Sequence, residues 1–186
     1  MEADWEFDVG GDSPVIEACW EGFIDLRRAP DRARELPEAA RLSGLAAVLE
    51  RLNSPSSPVW TSKCDVFPAL DPEDFESDEL DAPPGCCVHG MACYIDLLPK
   101  DNRQWSRAPL AEAACKHLCA LLGAVPLRCC RVDFIVRSAR IVPGVTDLGV
   151  TSYITACGPS AKEAKDALET ALSAFANALC LHSTVQ

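Results

Sequence analysis

Apolar residues in this chain recur at two periods, and the switch between them predicts the order of elements. Residues 59–67 set Thr61, Lys63, Asp65 and Phe67 against Trp60, Ser62, Cys64 and Val66. Residues 87–98 place Met91, Cys93, Ile95 and Leu97 on one side, with Ala92, Tyr94 and Asp96 on the other. Residues 128–140 oppose Val132, Phe134 and Val136 to Arg131, Asp133 and Arg137. From residue 148, after a turn at Pro143-Gly144 and Asp147, Leu148, Val150 and Ile154 oppose Thr151, Tyr153 and Thr155. A period of two with one apolar side marks strands that bury one face of a sheet. A further strand is expected over residues 15–26, where Gly22, Ile24 and Leu26 alternate with Glu21, Phe23 and Asp25.

Between these runs the period lengthens to that of a helix. Leu42, Leu45, Leu49 and Leu52 share one face of a helix predicted over 38–53, which Asn53-Ser54-Pro55 stops. Ser106 and Pro109 open a second helix, with Leu118, Leu121 and Leu122 as its stripe and Gly123 as its end. Ser160 caps the last helix, with Glu163 as the reciprocal partner of a capping box and Ala164, Leu168, Leu172, Phe175 and Leu179 on its core side.

The run Phe23-Ile24-Asp25-Leu26 returns later as Tyr94-Ile95-Asp96-Leu97. This echo predicts two halves, 15–67 and 87–140, followed by a hairpin strand and helix over 148–180. Together they make a single α+β domain over 15–180, preceded by an arm, 1–14, with a short strand near Glu6 to Val9 ahead of the turn-forming Gly10-Gly11-Asp12-Ser13-Pro14. The order resembles the ferredoxin-like, split βαβ arrangement. That resemblance implies a two-layer sandwich, with a mainly antiparallel sheet of about five strands backed by three helices on one face. It also implies that the first and third strands lie side by side, making Asp25 and Asp96 neighbours.

Length and composition agree with one globular core: 186 residues, 48% hydrophobic and 24% charged. The formal charge of -11 repels phosphate, which argues against nucleic acid and anionic lipid and favours a basic partner. No apolar run approaches the roughly 18 residues of a membrane span. The acidic start from Met1 to Glu6 is unlike a secretory signal, so a cytoplasmic place is expected. Residues 71–85 form an acidic loop, without the spacing of a calcium-binding EF-hand.

The 11 cysteines are odd in number, with adjacent pairs at Cys86-Cys87 and Cys129-Cys130, and read as reduced, buried small hydrophobes. Cys86, Cys87, His89 and Cys93, joined by Cys115, His117 and Cys119, contain no C-x-x-C pair, so no metal and no cofactor is expected. A thiol nucleophile at Cys64 or Cys93 beside His89 has no supporting signature, and the chain holds no G-x-S-x-G, G-x-G-x-x-G or G-K-[ST]. The chemistry therefore falls to the polar side of the strands, where Phe23, Asp25, Asp65, Tyr94, Asp96, Arg131, Asp133 and Tyr153 are the candidate binding residues. Aromatic and charged side chains on an uncovered sheet face suit a protein partner or self-association. The expected role is a non-catalytic interaction module. A divalent-metal enzyme built on paired Asp25 and Asp96 is the alternative, and both stand against plain cross-strand ion pairing on a solvated face.

Overall fold

The computed structural model describes residues 1–8, 10, 14–18, 20–70, 75–101, 105–142 and 145–182. The alternating runs form strands β1 (Glu2–Asp8), β2 (Ile16–Glu17), β3 (Val59–Leu70), β4 (His89–Pro99), β5 (Cys130–Val142) and β6 (Val145–Gly158). The helices are α1 (Pro37–Arg41), α2 (Ser43–Leu52), α3 (Ala108–Gly123) and α4 (Ala161–His182). The strands join in one sheet, ordered β1-β5-β6-β4-β3, with β2 also on β5.

The sheet is mixed rather than mainly antiparallel. β3, β4, β6 and β5 pair antiparallel, whereas β1 and β2 both run parallel to β5. Since β4 and β5 each oppose β6, they are parallel to one another, joined through α3 across the strand between them. That unit is a split βαβ, the part of the ferredoxin-like pattern that is present.

Residues 2–8 are not a free arm, because their strict alternation puts Ala3, Trp5 and Phe7 against the core and leaves the acidic residues outside. The strand expected over 15–26 shrinks to Ile16–Glu17. Gly22 takes φ +83°, the Phe23 N–H donates to Trp20 O and the Arg28 N–H to Asp25 O, so the second half of the run is turns. The echo between the halves 15–67 and 87–140 is thus one of sequence, not of structure. The expected helix over 38–53 breaks at extended Leu42, just before Ser43-Gly44, where Gly44 packs on Glu169 and the Ser43 hydroxyl donates to its carboxylate at 2.7 Å. The turn residues 143–144 lie outside the described residues, and Asp147 belongs to β6. Of the acidic loop, Asp71, Glu73 and Asp74 lie outside them too; Asp78–Leu80 forms a 3-10 turn with Leu80 buried.

Parity along the strands separates two faces. Cys93, Ile95 and Leu97 of β4, Val132, Phe134 and Val136 of β5, and Val150 and Ile154 of β6 share one core with Leu45 and Leu49 of α2, Leu118 of α3 and Leu168, Leu172 and Phe175 of α4. Half of the expected capping box starts α4, the Glu163 N–H donating to Ser160 Oγ at 3.3 Å, while the Glu163 carboxylate accepts from the Ser160 hydroxyl at 2.7 Å. Among the described residues the other face is covered only at its ends. At one end Ile16, Ala18, Trp60, Leu98 and Ala139 form a second, small core. There β2, hydrogen-bonded to β5, also accepts a hydrogen bond at Glu17 O from the Ser62 hydroxyl of β3, so the two sheet edges draw together. Ile16 sits over Gly149, where a Cβ would come within 2.8 Å of its Cδ1. At the other end the Phe75 ring sits over Gly90, 2.4 Å from where a Cβ would be. Glycine beneath each cover lets it lie flat on the strands.

The cysteines are not all reduced. Cys87 and Cys157 form a disulfide that ties the start of β4 to the end of β6. Spacing cannot announce this pairing, because it depends on β6 lying beside β4.

Candidate functional site

Between its two covers the outer face of the sheet is a trough, and its floor follows from register. Asp65 of β3 stands opposite Tyr94 of β4. Tyr94 stands opposite Tyr153 of β6, Tyr153 opposite Asp133 of β5, and Asp133 opposite Asp4 of β1. Five strands therefore contribute one straight row, two tyrosines flanked by carboxylates, about 19 Å long at the usual interstrand spacing. Parity places all five side chains on the same face.

The aromatic part of the floor is continuous. The Tyr94 and Tyr153 rings lie 5.8 Å apart between centroids, and Phe67 lies 6.3 Å from Tyr94. The Arg137 guanidinium stands 6.0 Å from the Tyr153 ring and 3.5 Å from Asp8. Arg131 is shared among three carboxylates, at 2.7 Å from Asp133, 3.4 Å from Glu79 and 3.6 Å from Asp4. Two clefts of about 310 and 360 Å³ meet at Arg131, Asp133 and Tyr153, one running toward β1 past Glu6, the other under Phe75 beside Thr155.

Asp96 lies one step further along β4, opposite Thr151, with only 4% of its surface exposed. Burial raises its carboxyl above the ordinary range, partly offset by the Thr151 hydroxyl, which donates to it at 2.6 Å, and by the charges of Lys63 and Arg137. Burial likewise raises Asp133, with Arg131 opposing. The Tyr94 hydroxyl is pushed up to about 12, first by burial and then by Asp96 and Asp65. The carboxyls on the floor of the trough are therefore partly dehydrated, a setting in which charge–charge interactions are strengthened.

The fold disfavours the charged form of Asp96. A carboxyl with a higher pKa folded than unfolded binds its proton more tightly when folded, so stability falls as pH rises from the ordinary 3.8 through the raised value and stays lower above it. Asp96→Asn keeps an acceptor for Thr151 and removes the charge. It is expected to be more stable than wild type at pH 7, with the advantage shrinking as pH falls toward the ordinary carboxyl range, as urea titrations at the two pH values would show.

Six of the eight expected site residues, Asp65, Tyr94, Asp96, Arg131, Asp133 and Tyr153, thus share the trough. Phe23 and Asp25 do not. Phe23 stacks obliquely on Trp20, 6.2 Å away, and lines a separate small cleft by Ser62 and Lys63. Asp25 sits in a turn, where hydrogen bonds from Arg27, the closest at 2.7 Å, and then the charges of Arg27 and Arg28 lower its pKa. Arg27 in turn stacks on Trp60 at 4.1 Å. Asp25 and Asp96 thus have different partners, and the neighbouring pair expected of them is not formed. Asp4, Glu6 and Asp8 were missed as part of the face, although Glu2-Ala3-Asp4-Trp5-Glu6-Phe7-Asp8 alternates as clearly as any run in the chain.

The cysteine and histidine set is divided. Cys87 is in the disulfide, His89 is exposed at the start of β4, and Cys93 is fully buried, its thiol pushed up by burial. Burial also raises Cys64 and Cys115, each to about 12. Among the described residues no three His, Cys, Asp or Glu side chains are grouped to hold a metal ion, and no helix is long and apolar enough to cross a membrane. Compared with known proteins, the chain matches no family model, no curated protein and no solved structure.

Proposed function

We propose that the chain is a binding module whose trough receives a basic, extended segment of a protein partner. The observation that carries this reading is the row Asp65-Tyr94-Tyr153-Asp133-Asp4, in register across five strands. An arginine or lysine side chain laid over Tyr94 and Tyr153 gains a cation–π contact, and each carboxylate end offers acceptors for its N–H groups. Asp96, two residues along β4 from Tyr94, is a buried carboxyl that folding alone does not need. The charge of -11 supports the same sign of partner and opposes a phosphate backbone. Self-association through this face would set acidic row against acidic row across a two-fold axis, which like charges resist. The metal-enzyme alternative needs Asp25 beside Asp96, whereas Asp25 is held by Arg27 and Arg28 and Asp96 by Thr151, which favours the binding reading.

Fluorescence anisotropy with a short labelled peptide alternating arginine and serine, beside its lysine and glutamate counterparts, tests the reading. Binding of the arginine and lysine peptides is expected, weakening with salt. The double change Tyr94→Ser and Tyr153→Ser should weaken it about tenfold or more, and Asp65→Asn with Asp133→Asn by a similar factor. Equal binding by wild type and both double variants would move the interaction off this face. A wild-type dimer that Tyr94→Ser makes monomeric, seen by sedimentation, would replace the partner with a second copy.

A further inference from the structure

Five of the 11 cysteines gather at one end of the sheet. Cys86 and Cys87 lead into β4, Cys129 and Cys130 lie at the start of β5, and Cys157 is near the end of β6. Because β6 lies between β4 and β5, Cys157 has a cysteine on each side. On the β4 side it is bonded to Cys87, with the Cα atoms 5.2 Å apart. On the β5 side, Cys130 pairs with Ala156 at the end of the register, and Cys129 just before it lies next to Cys157. The Cys157 N–H donates to Cys129 O at 2.9 Å, which fixes the two backbones at this distance. Opposed antiparallel residues have Cα separations of about 4.5 to 5.5 Å, inside the roughly 4.4 to 6.8 Å that a disulfide spans. Cys129 is partly exposed, carries a free thiol, and takes φ +62°, a left-handed conformation unusual for a residue with a side chain.

We propose that Cys157 is the hub of a thiol–disulfide exchange centre, in which its bond to Cys87 interconverts with a bond to Cys129. The Cys129 thiolate attacks Cys157 Sγ, the new bond forms as the Cys87–Cys157 bond breaks, and the electron pair leaves on Cys87 Sγ, which takes a proton from water. The proton lost by Cys129 goes to solvent, and nothing is oxidised or reduced overall. Burial, then the neighbouring Cys86, raises the Cys129 thiol above its ordinary pKa, which slows the attack at neutral pH. One isomer ties β4 to β6. The other ties β5 to β6 and frees Cys87, at the end of the segment whose Phe75 covers the trough. The proposal rests on the cysteine geometry and stands apart from the binding reading.

Native protein held in glutathione buffers of graded poise, quenched in acid, alkylated with N-ethylmaleimide and digested without reduction shows by mass spectrometry which cysteines are joined. Both Cys87–Cys157 and Cys129–Cys157 peptides are expected, their exchange quickening about tenfold per pH unit as thiolate forms. Cys87→Ser should carry the Cys129–Cys157 bond at a poise where wild type is oxidised, and Cys129→Ser only the Cys87–Cys157 bond. Wild type that yields the Cys87–Cys157 peptide alone at every poise overturns the proposal, whether or not Cys87→Ser folds. Cys87→Ser that folds, by circular dichroism, with Cys129 and Cys157 both alkylated overturns it equally.

Discussion

Cys157→Ser is expected to lower the free energy of unfolding by about 4 kcal/mol under oxidising conditions and to change it far less once dithiothreitol is present. The disulfide joins residues 70 apart in sequence, and closing so long a loop removes much of the freedom of the unfolded chain, for roughly 4 kcal/mol of stabilisation. Of a typical total of about 5 to 15 kcal/mol, that is a large share. Urea titration of wild type and variant, each with and without reductant, separates the bond from the residue: reduction should cost wild type about what the substitution costs, and leave the variant nearly unmoved. A variant as stable as oxidised wild type would mean that the bond does not form in solution. Under oxidising conditions Cys87→Ser should lose less than Cys157→Ser, because the freed Cys157 can be oxidised to a bond with Cys129.

The same corner of the molecule shows what the sequence conceals. Period two along residues 87–98, 128–140 and 148–155 is dense enough to reveal strands β4, β5 and β6, and the leucine and alanine spacing after Ser160 reveals α4 with its cap. These are local properties. Strand order is not, since it is decided by which apolar faces pair after folding. The parallel docking of β1 and β2 on β5, the place of β6 between β4 and β5, and hence the Cys87–Cys157 bond lie beyond any local pattern. Residues 15–26 misled for a different reason. Gly22, Ile24 and Leu26 alternate, yet the backbone around them turns twice, at Trp20 to Phe23 and at Asp25 to Arg28. Parity alone foretold that Asp65, Tyr94, Asp133 and Tyr153 would share a face; that they stand in one row needed the register.

Phe134→Ala is expected to cost about 4 kcal/mol, in the range for a large aromatic removed from a packed core. Phe134 is fully buried on β5, its ring stacked on Phe175 of α4 at 6.1 Å, and its chain neighbours Asp133 and Ile135 point the other way, into the trough. β5 is held by β1 on one side and β6 on the other, so the strand cannot settle into the space the ring leaves. Phe134→Leu, which refills much of that space, should cost well under half as much. Tyr153→Ser, one strand over and facing outward, should cost about 1 kcal/mol or less, because its ring is only half-buried. The pair therefore distinguishes core from surface: Phe134→Ala shifts the urea midpoint strongly at nearly unchanged slope, while Tyr153→Ser leaves the midpoint and weakens binding of the arginine peptide. Should the two substitutions cost equal stability, the outer face would be packed like the inner one, and the trough would be part of the fold's support rather than a surface kept for a partner.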